Sequence, residues 1–230
     1  LLLILIEPVL GENSRIMLKQ LPPKVTSGFL TGMNDFVDQQ FAAQLAVGSI
    51  TELNFSVKIP SALLSISIIA IGNVMLPYFS KKINENLVGA YKELFKILKG
   101  LFIAGLIVVL IIFALSSDII SLWLEKNEFT AKDTEIVSNL QKILLVYIPF
   151  YLCGNLLVKF LTSINKNNFM AWMSLLKLTA NIILNIIFIK KYGVYGLVIS
   201  TSIIMIMNSI FYLLYTVKQY KLAKTSNEAS

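Results

Sequence analysis

The chain has 230 residues, of which 56% are hydrophobic and 14% are charged, and its formal net charge at pH 7 is +7. Soluble domains have about 25% charged residues, so this composition indicates an integral membrane protein made of apolar helices. Histidine is absent and Cys153 is the single cysteine of the sequence, which excludes imidazole catalysis, histidine or thiolate metal sites and an internal disulfide. We therefore expect a protein that is not an enzyme and that binds no metal or cofactor.

Six segments are about 20 residues long or longer and apolar enough to cross a bilayer as helices. In chain order they lie near residues 22–46, 53–78, 97–116, 136–161, 171–190 and 195–217. The apolar runs are continuous, without the alternation that is typical of a membrane β-barrel. Residues 1–21 are interpreted as the end of a preceding span and a linker, and residues 218–230 as a tail. The sequence therefore predicts an all-α membrane protein in which residues 22–217 form a bundle of about six transmembrane helices.

The basic residues are distributed unequally between the two ends of the predicted helices. Thirteen of the 20 lysine and arginine residues lie at one end, four lie at the other end, and three fall inside spans. Because basic loops tend to remain in the cytoplasm, this end, with the linker and the C-terminal tail, is predicted to be cytoplasmic. The scattered lysines therefore indicate membrane orientation rather than binding to nucleic acid.

The first predicted span is the least hydrophobic, and its polar residues gather on one broad face. That face includes Gly28, Gly32, Asp35, Asp38 and Gln39. A carboxylate that faces lipid costs about 2.5–3.5 kcal/mol on insertion scales, so both carboxylates are expected to face other helices or water. The two glycines, four residues apart, are expected to allow close approach of another helix.

The second span repeats this pattern with a stripe that contains Asn54, Lys58 and Ser61. Asp38 and Lys58 each lie ten residues from Gly48, which is predicted to form the hairpin between the first two spans. Equal spacing along antiparallel helices would place them at similar depth, so a salt bridge or a shared cavity wall is one interpretation. The alternative is that Lys58 extends to the nearer membrane interface.

Two further signals come later in the chain. Thr130 and Asp133 have the spacing of a capping box and predict that a helix begins there, with a structural rather than a chemical role. In the fifth span, Lys177, Asn181 and Asn185 follow one another at four-residue steps on one helix face. Such residues either line a cavity or make helix–helix contacts, and asparagines in membrane helices more often do the latter.

Several motifs of this chain resemble the C-terminal half of the MviN/MurJ lipid II flippases, which belong to the multidrug/oligosaccharidyl-lipid/polysaccharide exporter superfamily. The stretches that carry the resemblance are residues 48–55 (GSITELNF), 76–80 (LPYFS), 129–134 (FTAKDT), 181–185 (NIILN) and 192–196 (YGVYG). The first three are the more specific, and the resemblance covers about residues 30–215.

The resemblance implies one lobe of a two-lobe transporter in the bacterial inner membrane. Such a flippase moves a lipid-linked peptidoglycan precursor by alternating access around a central cationic cavity, and its partners here are the missing N-terminal lobe, membrane lipids and the lipid-linked oligosaccharide. On this pattern Asp38 matches the aspartate of a Val-Asp motif, and Lys58 stands where the family has a cavity arginine. The candidate cavity residues are Asp35, Asp38, Gln39, Asn54, Lys58 and Ser61, with Lys177, Asn181 and Asn185 as further candidates.

Some positions depart from the family pattern. Gln39 replaces a basic residue, and residues 165–168 (NKNN) replace a motif that contains aspartate and proline. These departures leave open a flippase for an O-antigen or capsule unit, and a multidrug exporter of the same superfamily. A non-transporting fragment and a membrane glycosyltransferase or polymerase are further alternatives, although the short outer loops disfavour the enzyme.

Overall fold

The computed structural model describes residues 12–45, 48–124 and 129–228, and over these ranges the chain forms eight helices and no strand. The helices are α1 (Glu12–Ala42), α2 (Ser49–Ser56), α3 (Lys58–Glu85), α4 (Leu87–Leu124), α5 (Ala131–Leu145), α6 (Ile148–Ser163), α7 (Asn167–Tyr192) and α8 (Val194–Glu228). A backbone in lipid has to satisfy its polar groups internally, and a helix does so within one segment. The predicted all-α membrane fold is confirmed.

Four helical segments of the described chain are long and apolar enough to cross a membrane. They are Ser49–Glu85 (α2 with α3), Leu87–Trp123, Asn167–Tyr192 and Val194–Asn227, and the bent pair α5–α6 makes a fifth, broken span. The remaining predicted span, which is the first in chain order and lies near residues 22–46, falls mostly in α1. This helix has 31 residues, enough to cross a bilayer at 1.5 Å per residue, but its polar residues make it less apolar than the others.

The break between α5 and α6 has a local cause in the sequence. Pro149 stands in the first turn of α6, and proline has no N–H to donate to the carbonyl four residues earlier. The preceding N–H groups, of Val146 and Tyr147, donate instead to carbonyls three residues back, at 3.3 Å each. The two helices therefore meet at an angle of 41°.

Helix α6 lies at the centre of the bundle and contacts α3, α4 and α8. Its buried side chains include Leu152, Leu156, Leu157 and Leu161, each at most 7% exposed. Large apolar side chains elsewhere point outward, as along α4, where Ile103, Ile107, Leu110 and Ile111 are all exposed. This arrangement suits a bundle whose outer surface faces lipid rather than water.

An aromatic cluster joins four helices at the end of the bundle where α3 meets α4, α6 meets α7 and α8 ends. The ring of Phe160 lies 5.1 Å from that of Phe79 and 4.7 Å from that of Tyr91, which in turn lies 5.5 Å from Tyr220. This end carries most of the lysines and is called the lysine-rich end below. The Phe79–Phe160 pair is edge-on and the other two are tilted, and aromatic pairs that avoid a face-to-face sandwich stabilise packing beyond their buried area.

The opposite end of the bundle contains the start of α5, where the sequence predicted a capping box formed by Thr130 and Asp133. The Thr130 hydroxyl accepts a hydrogen bond from the Asp133 N–H at 3.4 Å, and the Asp133 carboxylate accepts one from the Thr130 N–H at 2.8 Å. Both bonds of a capping box are therefore present, and this prediction is confirmed.

Candidate functional site

A ladder of polar side chains connects α1 to α7. Asn34 and Asp38 lie one turn apart on α1, and Asn181 and Asn185 lie one turn apart on α7. Residues four apart share a helix face, so the α1 pair and the α7 pair can face each other along the contact between the two helices. Asn34 is 4% exposed, Asn181 3% and Asn185 0%, which means that the ladder is largely closed to solvent.

Asp38 is the common acceptor of this ladder. Its Oδ1 accepts hydrogen bonds from Nδ2 of Asn181 at 3.0 Å and Nδ2 of Asn185 at 2.8 Å, and its Oδ2 accepts one from the Thr201 hydroxyl of α8 at 3.0 Å. Asn181 also donates to Oδ1 of Asn34 at 3.3 Å. Three donors offset the free energy of burying the carboxylate, and they attach α1 to both α7 and α8.

The sequence offered an ion pair or a shared cavity wall as one interpretation of Asp38 and Lys58. The ion pair is not formed between these two described residues, so that part is wrong, and the shared cavity wall stays a prediction. The Lys58 ammonium instead lies 4.6 Å from the ring centroid of Phe55 and 5.3 Å from that of Trp123, distances typical of cation–π contacts. Equal spacing from Gly48 does not bring the two residues together because the helices diverge. Helix α1 packs mainly on α7, whereas α3 packs mainly on α6.

The other candidates of the first two spans lie at the surface of the described bundle. Gln39, Asn54, Lys58 and Ser61 are all exposed, and the side chain of Asp35 lies outside the described residues. The expected close approach at Gly28 and Gly32 is also absent from the described part of the chain. A Cβ added at either glycine would meet no atom within 4 Å, so no helix is seated against them.

A polar cavity lies nearer the lysine-rich end, between α1, α3, α6, α7 and α8, with a volume of about 460 Å³. Its lining includes Asn155 and Lys159 from α6, Ser174 and Lys177 from α7, and Asn208 from α8. Of the residues named from the sequence, Lys177 lines this cavity, while Asn181 and Asn185, further along the same helix, contact Asp38.

Sequence reasoning did not identify Asn34 and Thr201 as site residues. The signal for Asn34 was its four-residue spacing from Asp38, which marks a shared helix face. Thr201 had no comparable signal, because hydroxyl side chains in membrane helices commonly bond to their own backbone, and its partner Asp38 lies 163 residues away.

The model of the lipid II flippase MurJ family matches residues 3–228 of this chain. A probable lipid II flippase MurJ of Bdellovibrio bacteriovorus is 24% identical over 211 residues, which cover 91% of this chain and 40% of that protein. The lipid II flippase MurJ of Thermosipho africanus is 37% identical over 109 residues, 46% of this chain and 22% of that protein. The chain thus spans less than half the length of these relatives.

Solved structures show the same architecture. A lipid II flippase MurJ in an inward closed conformation matches with a TM-score of 0.74 and 26% identity, covering 84% of this chain and 41% of that one. An outward-facing multidrug resistance MATE family transporter of the MOP superfamily matches with a TM-score of 0.71 and 18% identity, covering 88% and 44%, a likeness of fold alone. A family match over nearly the whole chain, with this fold, shows that the chain belongs to the lipid II flippase MurJ family.

Proposed function

We propose that this chain forms one lobe of a flippase that moves a lipid-linked oligosaccharide diphosphate, of the lipid II class, across the bacterial inner membrane. The observation that carries the proposal is the match of the lipid II flippase family model to residues 3–228. The proposed protein is a transporter in which no covalent bond is made or broken. A second lobe, N-terminal to this chain, completes it, and the lysine-rich end and the C-terminus face the cytoplasm.

The exposed polar residues of α2 and α3 support a wet surface between the two lobes. Asn54, Lys58, Ser61 and Ser65 are exposed in a segment that is otherwise apolar enough to span a membrane. Charged and polar side chains in a span are costly against lipid and usually face a bundle interior or water. We therefore assign this surface, together with Asp35 and Gln39 of α1, to the central cavity.

Lys58 is the proposed contact to the diphosphate. Its ammonium is exposed and rests on two aromatic rings, so it can leave them for a phosphate without breaking an ion pair. A lysine acts on phosphate as a point charge, without the forked geometry of an arginine. Alternating access then involves a movement of α1. Asp38 attaches this helix to α7 and α8, so these contacts are either kept or broken in that movement.

The test is complementation with the full-length gene in bacterial cells depleted of their own lipid II flippase, with labelled lipid II at the outer leaflet as the readout. The unmodified gene is expected to restore lipid II exposure, and Lys58→Arg to retain it. Lys58→Ala is expected to reduce the exposure rate by about tenfold or more, the effect of losing one charged hydrogen bond.

The matched control is Lys132→Ala, which removes another exposed lysine at the same end of the bundle and is expected to leave exposure unchanged. No restoration by the unmodified gene would contradict lipid II as the substrate and favour an O-antigen or capsule unit, or a drug. Full restoration by Lys58→Ala would remove Lys58 from the mechanism.

A further inference from the structure

Two aromatic rings hold the ammonium group of Lys58 at the end of the bundle opposite the lysine-rich end. Its Nζ lies 4.6 Å from the ring centroid of Phe55 and 5.3 Å from that of Trp123. A cation within about 6 Å of a ring centroid is attracted by the negative face of the ring. Phe55 and Trp123 are called the ring pair below.

The contact between Lys58 and the ring pair is assembled from three helices. Phe55 lies near the end of α2 and Lys58 begins α3. The Val57 N–H between them donates to the Leu53 carbonyl at 3.1 Å, so the helical path continues through the junction. Residues three apart in a helix lie on the same face, which places the Phe55 ring beside Lys58. Trp123 comes from the end of α4, which brings its ring to Lys58 from a separate part of the chain.

One ring of the pair is fixed by packing and the other is open. The Phe55 ring packs edge-on against Phe129, with centroids 5.8 Å apart and an interplanar angle of 80°, an arrangement that aromatic pairs favour. Phe55 is half-buried, whereas Trp123 is 50% exposed and Lys58 is exposed. The ammonium group therefore has a fixed ring beside it and stays accessible to a ligand.

A phosphate and the ring pair are opposed as partners of Lys58. The face of an aromatic ring carries partial negative charge, which attracts an ammonium group and repels an anion. A phosphate that approached the ammonium group over the rings would therefore meet unfavourable ring faces. Because the lysine side chain is a flexible four-carbon stem, the ammonium group can move off the rings, and a phosphate binds best when it does.

We propose that the ring pair competes with the diphosphate for the Lys58 ammonium group and thereby promotes release of the lipid-linked substrate. This inference rests on the proposed function, in which Lys58 contacts the diphosphate and this end of the lobe faces the outer side. Transport requires binding that is strong enough for uptake and weak enough for release. Phe55 and Trp123 are positioning residues that serve release, since they replace the phosphate as partners of Lys58 when the substrate leaves.

The first experiment measures the affinity of the full-length protein for magnesium-free pyrophosphate, by isothermal titration calorimetry in a neutral detergent. Phe55→Leu and Trp123→Leu are each expected to strengthen binding by about two- to fivefold, and the double variant by about five- to thirtyfold, the effect of removing one or two cation–π contacts. Damage to the fold would weaken binding, so a gain is specific to the competition. The matched control is Trp172→Leu, which removes a tryptophan of α7 that is 72% exposed and is expected to change binding by less than about twofold.

Further variants separate this inference from the proposed function. Phe55→Tyr and Trp123→Phe keep an aromatic face and are expected to keep the affinity of the unmodified protein. Lys58→Ala is expected to weaken pyrophosphate binding, and removal of the ring pair in that background is expected to have no effect. Equal binding by Lys58→Ala and the unmodified protein would contradict the contact of Lys58 with the diphosphate. Weaker binding by Lys58→Ala, with leucine variants that bind no more tightly than the unmodified protein, would overturn the competition alone.

The second experiment follows the ammonium group itself, by nuclear magnetic resonance of the protein with both rings in place. Reductive methylation with isotope-labelled formaldehyde adds methyl groups to the lysines and keeps their charge, and the Lys58 signal is the one missing from Lys58→Arg. Ring currents above an aromatic face move such a signal upfield, and saturating pyrophosphate is expected to return it to the position of an exposed methyl-lysine. A Lys58 signal that is never shifted, or that stays upfield while pyrophosphate is bound, would overturn the proposal, as would the absence of pyrophosphate binding in every variant.

Discussion

Replacing Asp38 by alanine removes the acceptor that two buried asparagines and the partly buried Thr201 share. Asn181 and Asn185 lose their contacts of 3.0 and 2.8 Å to Oδ1, and Thr201 loses its contact of 3.0 Å to Oδ2. Asn185 is fully buried, so its amide has no solvent contact that already supplies a second acceptor. Helix α1 is thereby left without its main polar attachment to α7 and α8.

The expected magnitude lies between two reference values. Hydrogen bonds between membrane helices average about 0.6 kcal/mol and reach about 1.7, whereas hydrogen bonds to a charged group in soluble proteins contribute about 1.5–3 kcal/mol. Three such bonds to one carboxylate are not additive. We therefore expect Asp38→Ala to lower the free energy of unfolding by about 2–4 kcal/mol, and Asp38→Asn, which keeps one acceptor oxygen, by less.

The assay is reversible unfolding of the purified full-length protein in mixed micelles, with the transition followed by far-ultraviolet circular dichroism. Gln39→Ala is the matched control, because Gln39 is the next residue of α1 and is exposed; surface changes of this kind stay within about 0.5 kcal/mol. A double-mutant cycle with Asn185→Leu isolates the pair and is expected to show coupling of about 1 kcal/mol. Equal small losses for Asp38→Ala and Gln39→Ala would refute the role of the ladder.

Two further changes test packing and capping away from the ladder. A Cβ added at Gly154 of α6 would lie 2.6 Å from the Ser209 hydroxyl of α8, so Gly154→Ala is expected to destabilise the protein by about 1–3 kcal/mol through overpacking. Gly32→Ala, where a Cβ meets open space, is not expected to destabilise the protein in the same unfolding assay. Thr130→Ala removes the capping box of α5 and is expected to cost about 1 kcal/mol. The measurement is amide hydrogen exchange, which is expected to become faster only in the first turn of α5. Unchanged exchange there would contradict a stabilising role for the cap.

The candidate site was only partly predictable from the sequence. Asp38, Asn181 and Asn185 were identified because polar side chains in apolar spans are costly and therefore have partners. An ion pair between Asp38 and Lys58 was one of the interpretations left open, and it was wrong, since hairpin spacing treats consecutive helices as adjacent along their full length. The helices on the two sides of Gly48, α1 and α3, instead diverge. The ladder joins α1 to α7, whose bonded residues are more than 140 positions apart in the sequence.

The sequence alone was sufficient for properties that depend on residues close together in the chain. Apolar runs about 20 residues long predict membrane helices because a backbone in lipid has to bond within its own segment, and the spacing of Thr130 and Asp133 predicts a cap that those two residues build themselves. The pairing of α1 with α7, the cation–π contacts of Lys58 and the cavity between Lys159 and Lys177 were decided only by the tertiary structure. Each depends on which helix faces meet, and hydropathy is nearly the same for every alternative arrangement of apolar helices in a bilayer.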